Sequence, residues 1–420
     1  MTVTSSNEQR WRYAAASLVM QLCLGVIYSW SVFRGPLSIA YGWSKTQTIM
    51  PYRYSLLAFT CGMIVAGLWQ DRKGPRLVAS VGGILLGLGC LLAGLNANSL
   101  NGLIWSYGIV AGVGVGFAYV TPIATCIKWF PDKRGFIVGL SVMGFGMGSM
   151  IFAPLLEYLM GKDPAQLPYT IPRTFFILSA IFFVFVVGAA QFYRVPPAGW
   201  KPEGWHPASN PASQAAREFR PGEMLATWQF YALWLTYFLG TSVGLTAIGE
   251  STPIIQEMAK TSAVMSAGMA LGVMSLCNGA GRLVWGSVSD RIGRNRTVLG
   301  MCACSIIACV FLLRNAQNFW QLLAGLSLAG FAYGGYLALM PSFTADFYGS
   351  KSVGANYGIL FSAWGICGFV VPGYFAGIID TAKKSGNVAA GYDQVYLGLA
   401  GLAGLGALMA LVVRKPLRQG

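Results

Sequence analysis

Twelve times along its 420 residues, the chain enters an apolar stretch of about 20 residues, the length a helix needs to cross a hydrocarbon core of roughly 30 Å. The stretches lie at about 13–33, 47–70, 77–97, 102–127, 136–160, 173–193, 228–250, 264–289, 297–314, 318–345, 354–379 and 393–413. Inside lipid every backbone N–H and C=O must be satisfied within the spanning element, so such runs fold as helices. Only 10% of the residues are charged, against roughly 25% in a soluble domain, and the mean hydropathy is +0.57. An ordinary cytosolic enzyme is excluded; the expected class is an all-α membrane protein with twelve transmembrane helices. One long polar, Pro-rich stretch, 194–227, holds the only histidine, His206. It reads as a linker between a bundle of six helices in 1–193 and a second bundle of six in 228–420.

The net charge of +15 would suggest nucleic acid in a soluble protein. Here its placement gives another meaning. One set of alternate connections holds Arg10, Arg12, Arg72, Lys73, Arg76, Lys128, Lys133, Arg134, Arg194, Lys201, Arg217, Arg220, Arg291, Arg294, Arg296, Lys351, Arg414, Lys415 and Arg418. The other holds Arg34, Lys45, Lys162, Arg173, Lys260, Arg314, Lys383 and Lys384. Basic residues gather in cytoplasmic loops, so both termini are expected in the cytoplasm of a plasma (inner) membrane protein. The charge then faces anionic lipid, and no nucleic-acid partner is implied. The first ten residues are polar, with no small-residue cleavage site, so no removable signal peptide is expected. All nine cysteines lie in apolar runs without zinc-site spacing and are expected to be buried small hydrophobes. No metal or prosthetic cofactor is implied.

The chain repeats itself. Gly67-Leu-Trp-Gln-Asp71-Arg72-Lys73-Gly74-Pro-Arg76 recurs as Gly286-Ser-Val-Ser-Asp290-Arg291-Ile-Gly293-Arg294, each between the second and third span of its half. A weaker echo pairs Trp129-Phe130-Pro-Asp132-Lys133-Arg134-Gly135 with Asp346-Phe347-Tyr-Gly-Ser-Lys351. Two parallel six-helix halves place a binding cleft between them near the bilayer midplane. Twelve spans, the duplicated Gly-x-x-x-Asp-Arg-x-Gly loop and the central linker resemble the major facilitator superfamily over essentially the whole chain. Tyr28-Ser29-Trp30, Trp129-Phe-Pro-Asp-Lys-Arg-Gly135 and Asn278-Gly-x-x-Arg282 resemble its oxalate:formate antiporter family, a relative of the monocarboxylate transporters. The resemblance implies two pseudo-symmetric bundles that rock about a central anion site.

Charge inside hydrocarbon is expensive and marks function by default. Arg282 lies eight residues before Asp290, about 12 Å deep at 1.5 Å per residue, close to the midplane. It is either a structural arginine held by helix ends and carbonyls or a carboxylate receptor, whose planar fork accepts a carboxylate bidentately. All fourteen acidic residues fall in loops or near span ends, so none is placed to be its permanent partner. Asn278 shares its helix face and serves either packing or substrate. Tyr119, nine residues from Lys128, lies about 13 Å deep and matches Arg282 in depth from the opposite half. Tyr333 and Leu337 on span 10, Phe361 and Trp364 on span 11, Phe145 on span 5 and Tyr28 on span 1 are aromatic or apolar pocket candidates, with core packing as the plainer alternative.

The resemblance carries Arg282, Tyr28 and Tyr119 over as substrate-contacting positions, and Tyr333 as an aromatic pocket position. It departs at Trp364, where the oxalate exchanger has a second cation, a lysine. One cation matches one carboxylate, and a second carboxylate beside Trp364 would be a buried, unpaired charge. Oxalate is therefore disfavoured, and a small monocarboxylate (lactate, pyruvate or formate) is expected. Monocarboxylate transporters often carry an aspartate one turn before this arginine; here it is Asn278, so a coupled proton has no midplane carboxylate. Glu250 and Glu257, at the outer end of span 7, are weaker proton candidates. Asp71, Arg72 and Arg76, with Asp290, Arg291 and Arg294, are expected to latch the cytoplasmic side. Arg53, about 27 Å from Asp71, reads as a snorkelling anchor rather than an outer gate. Gly112, Gly114 and Gly116 with Gly144, Gly146 and Gly148 read as contacts between rocking helices.

The expected function is secondary transport of a small monocarboxylate, L-lactate or pyruvate-like, by a monomer working as a proton symporter; oxalate/formate-type exchange is the alternative. A membrane enzyme would need a His, Cys or carboxylate constellation at membrane depth, and a transport-like sensor would need a large soluble extension. Neither is visible in the sequence.

Overall fold

The computed structural model describes residues 4–161, 163–197, 200–202, 218–258 and 267–416. The middle of the linker with His206, and Lys162, Lys260, Arg217 and Arg418, lie outside the described residues, as does the side chain of Glu257. Twelve long helical stretches follow one another: α1 (Arg10–Tyr41), α2 (Gln47–Lys73), α3 (Pro75–Leu95), α4 (Leu100–Trp129), α5 (Arg134–Met160), α6 (Leu167–Ala190), α7 (Trp228–Ser251), α8 (Ala267–Ile292), α9 (Arg294–Leu313), α10 (Phe319–Tyr348), α11 (Val353–Ile379) and α12 (Val388–Val412). Eleven of them are apolar and long enough to cross a membrane. The remaining one, α8, is long enough at 26 residues, but Asn278 and Arg282 at its centre dilute its apolar character. The helix that looks least like a span carries the site.

α1 to α6 form one bundle and α7 to α12 the other. They meet along two seams, α5 against α8 and α2 against α11. Glycine makes the seams close. A Cβ on Gly139 of α5 would lie 2.4 Å from the Arg282 carbonyl oxygen of α8, and one on Gly67 of α2 would lie 2.2 Å from the Gly354 oxygen of α11. The glycine runs noted in sequence work differently from the expected rocking contacts. Gly114 faces α3 at Leu86, and Gly148 faces Gly25 of α1. Both pack helices within one half; Gly146 alone in that set faces the other half, at Asn278 and Arg282.

Four spans depart from regular α-helix, two of them through a π-helical stretch, Ile104–Ala111 in α4 and Ala308–Leu313 in α9. α1 tightens into a 3-10 turn over Gly25–Ser29, and α11 breaks at Phe361 between Val353–Leu360 and Ser362–Lys384. Irregular backbone at membrane depth is tolerated where it is buried in protein or lines a cavity, and the breaks in α1 and α11 are buried, at Tyr28 and Phe361. Six of the nine cysteines are buried, but Cys61 is exposed and Cys277 and Cys304 are half-buried. The expectation of nine buried thiols fails because a spanning helix is apolar on its lipid side as well.

Candidate functional site

The Arg282 side chain is fully buried. Its Nε donates to Asn278 Oδ1 at 3.0 Å and its Nη1 to the Val142 carbonyl of α5 at 3.0 Å. The guanidinium carbon lies 5.1 Å from the centre of the Phe145 ring. Nη2 has no hydrogen-bond partner, and no carboxylate pairs with Arg282 among the described residues. Asn278 and Val142 thus aim the fork, leaving one edge for an anion. Leaving a buried cation unpaired is costly, so the arrangement favours an anionic ligand. Gly146 makes room for the Arg282–Asn278 pair: a Cβ there would come within 2.8 Å of both Arg282 Nε and Asn278 Oδ1.

Aromatic rings enclose this group. Phe145 packs edge-on against Tyr28 at 4.9 Å and Tyr119 at 5.0 Å. Phe59 joins Tyr119, Phe361 and Trp364 at 5.1, 5.1 and 5.2 Å. Phe361 and Trp364 stack at 4.7 Å. Across the seam, the Tyr28 and Tyr333 hydroxyls are 2.7 Å apart, and Trp364 Nε1 donates to the Tyr333 oxygen at 2.6 Å. The charge of Arg282 acts on the hydroxyls of Tyr28, Tyr119, Tyr333 and Tyr357. The Tyr119 hydroxyl makes no hydrogen bond of ordinary geometry among the described residues, and Tyr357 and Arg282 are its polar neighbours. It is the second donor that a carboxylate on Arg282 can use.

Eight of the sequence candidates therefore gather in one place: Arg282, Asn278, Tyr119, Tyr333, Phe361, Tyr28, Phe145 and Trp364. Leu337 is buried one turn from Tyr333 on α10. Glu250 lies elsewhere, in a small cavity with Val243, Phe375 and Tyr396. The sequence reading did not single out Phe59, Tyr237, Tyr357 or the Val142 carbonyl. Aromatic residues in apolar runs carry no individual signal, and a carbonyl has none at all.

The loop candidates divide. Asp71 accepts from Lys128 at 3.4 Å and, across the seam, from the Ala355 amide at 3.2 Å. Asp290 accepts from the Gly135 and Phe136 amides of α5 at 3.1 and 2.9 Å and from Arg294 at 2.8 Å. Arg294 also donates to Asp346 at 2.9 Å, and Arg134 reaches Asp346 from the other half at 3.1 Å. Arg76 bonds Gln191 of its own half, while Arg72 and Arg291 are exposed. The cross-seam contacts are thus made by Asp71, Asp290 and the Arg134–Asp346 pair. Four of the six expected latch residues, Arg72, Arg76, Arg291 and Arg294, make no bond to the opposite half among the described residues, Arg294 serving instead to hold Asp290 and Asp346. Arg53 also departs from expectation. Its guanidinium stacks 4.7 Å from the Phe369 ring of α11 and donates to the Phe369 carbonyl at 3.4 Å, so it joins the two halves instead of snorkelling.

Two six-helix bundles meeting around a buried cation define a membrane transporter of the two-bundle type. The chain belongs to the Major Facilitator Superfamily, which it matches over residues 14–372 and again over 245–420. It is 30% identical over 358 residues to the oxalate:formate antiporter of Oxalobacter formigenes, covering 84% of this chain and 81% of that one. It is 27% identical over 353 residues to apicoplast pyruvate carrier 1 of Toxoplasma gondii, covering 72% of this chain and 64% of the carrier. Its fold matches that of FucP, a transporter of the superfamily in an outward conformation, with a TM-score of 0.67, 15% identity and coverage of 96% of this chain and all of the other.

Proposed function

We propose that the protein carries a small monocarboxylate, L-lactate or pyruvate-like, across the plasma (inner) membrane together with a proton, by alternating access of the two bundles. The observation that carries the reading is the single buried guanidinium with one free edge, facing the unpartnered Tyr119 hydroxyl. One cation and one hydroxyl donor suit one carboxylate. Trp364 stands where the oxalate exchanger has a lysine, and its indole N–H is occupied by Tyr333. A second carboxylate would therefore meet rings. The resemblances to an oxalate:formate antiporter and to a pyruvate carrier support the substrate class.

The coupling follows from charge. An anion and a proton together add no net charge to a site with one fixed cation, and among the described residues no carboxylate lies beside Arg282 to hold the proton separately. In this reading both termini, and the loops of Asp71 and Asp290, face the cytoplasm, with 194–227 linking the bundles there. The cross-seam contacts then hold the cytoplasmic side shut while the outer side loads.

The test is uptake of labelled L-lactate into proteoliposomes under an inward proton gradient. The gradient is expected to drive uptake, Arg282→Ala to abolish it, and Arg282→Lys to leave a small fraction because the fork is lost. Uptake that ignores the gradient but requires internal formate or oxalate would replace symport by exchange.

A further inference from the structure

Three tyrosines pack around Phe361, and the carboxylate site uses the hydroxyl of only one of them, Tyr119. Tyr119 of α4, Tyr357 of α11 and Tyr237 of α7 pack their rings 5.6, 5.7 and 6.2 Å from the Phe361 ring. All three are at most 1% exposed. None of their hydroxyls makes a hydrogen bond of ordinary geometry among the described residues. The hydroxyls lie within loose hydrogen-bonding reach of one another in turn, Tyr119 to Tyr357 and Tyr357 to Tyr237, and the Arg282 charge reaches the first two. A buried polar group without a partner costs about 1–3 kcal/mol. Three in one cluster, delivered by three different helices from both halves, is a built feature. Phenylalanine would pack the same rings without that cost.

The geometry points to a second polar subsite: Tyr357, backed by Tyr237, receives the oxygen on the carbon next to the carboxylate. The inference rests on the monocarboxylate reading and narrows it to 2-hydroxy and 2-oxo acids. With the carboxylate on Arg282 and Tyr119, the 2-substituent is the next polar atom along the substrate, and Tyr357 is the hydroxyl that adjoins Tyr119. A phenolic hydroxyl both donates and accepts, so it serves an alcohol and a ketone alike. The subsite gives nothing to acetate or propionate, which have no such oxygen, or to formate, which has no second carbon.

The experiment is calorimetric binding of L-lactate and propionate to the purified chain, wild type and Tyr357→Phe, at one pH. The two ligands share a three-carbon skeleton and differ in the 2-hydroxyl. Wild type is expected to bind lactate more tightly by about tenfold, the worth of one well-placed hydrogen bond. Tyr357→Phe is expected to erase that preference while leaving propionate affinity within about twofold, which also reports that the variant is folded. A preference that survives Tyr357→Phe, or equal binding of both acids by wild type, overturns the subsite and leaves the monocarboxylate reading standing. Wild type that binds neither acid overturns both. Loss of both acids in the variant alone marks Tyr357 as structural and also overturns the subsite.

Discussion

The two copies of the repeated loop begin from nearly the same sequence and end in unequal contacts. Asp71 reaches across the seam to one backbone amide, Ala355. Asp290 reaches two, Gly135 and Phe136, at the start of α5, where the unsatisfied amides and the helix dipole favour a carboxylate. The Asp290 copy is also wired further. Arg294 holds Asp290 and Asp346 together, and Arg134 of the opposite half closes on Asp346. Arg76, which falls one position later in its copy than Arg294 does, instead turns to Gln191 within its own half. Duplication thus supplied the same parts twice, and the neighbours of each loop decided how far it bridges. The α5–α8 seam is the stronger clasp and the α2–α11 seam the weaker one.

Removing the stronger clasp tests that ranking most severely. Asp290→Ala deletes two charge-assisted amide bonds and an ion pair whose carboxylate side chain is 26% exposed. Bonds to charged groups contribute about 1.5–3 kcal/mol each before solvent discounts them. Amide hydrogen exchange at Gly135 and Phe136 is expected to accelerate by more than about tenfold. Asp71→Ala deletes one amide bond and the longer Lys128 pair, so exchange at Ala355 is expected to accelerate by only about threefold. Equal acceleration at the two seams, or the reverse order, would dissolve the ranking. With these loops on the cytoplasmic side, as proposed, net uptake is expected to fall in the same order, because early opening there releases the inward-facing form before the substrate is loaded.

Much of the architecture was legible because lipid restricts the options. Long apolar runs must be helices, basic loops mark one face, and an arginine at the midplane must be explained. Those rules pointed to Arg282 and Tyr119 at one depth, with Asn278 one turn away on the Arg282 face. They could not find the break at Phe361 or the tight turn over Gly25–Ser29, because a span that bends has the same hydropathy as a straight one. They also missed Tyr237 and Tyr357, whose importance lies in unpartnered hydroxyls that only a three-dimensional neighbourhood reveals. Arg53 was misread for a related reason. Depth alone put it at the outer interface, where anchors are common, and depth says nothing of the bundle on the other side of the seam.

That arginine gives the smallest of these effects and the finest test of the comparison. Arg53 of α2 contacts Phe369 of α11, so it lies on the weaker seam at the end opposite Asp71. A partly exposed cation–π contact contributes about 0.5–1 kcal/mol, and the accompanying hydrogen bond is long at 3.4 Å. Arg53→Gln is therefore expected to change the balance of the two openings only about twofold to threefold, in favour of the outward one. The sign is the informative part. Asp71→Ala and Arg53→Gln loosen the same seam from opposite ends, so exchange at Ala355 is expected to rise in the first and to fall slightly in the second. If both raised it, the α2–α11 seam would be loosening as a whole rather than pivoting, and the two halves would be separating there without rocking.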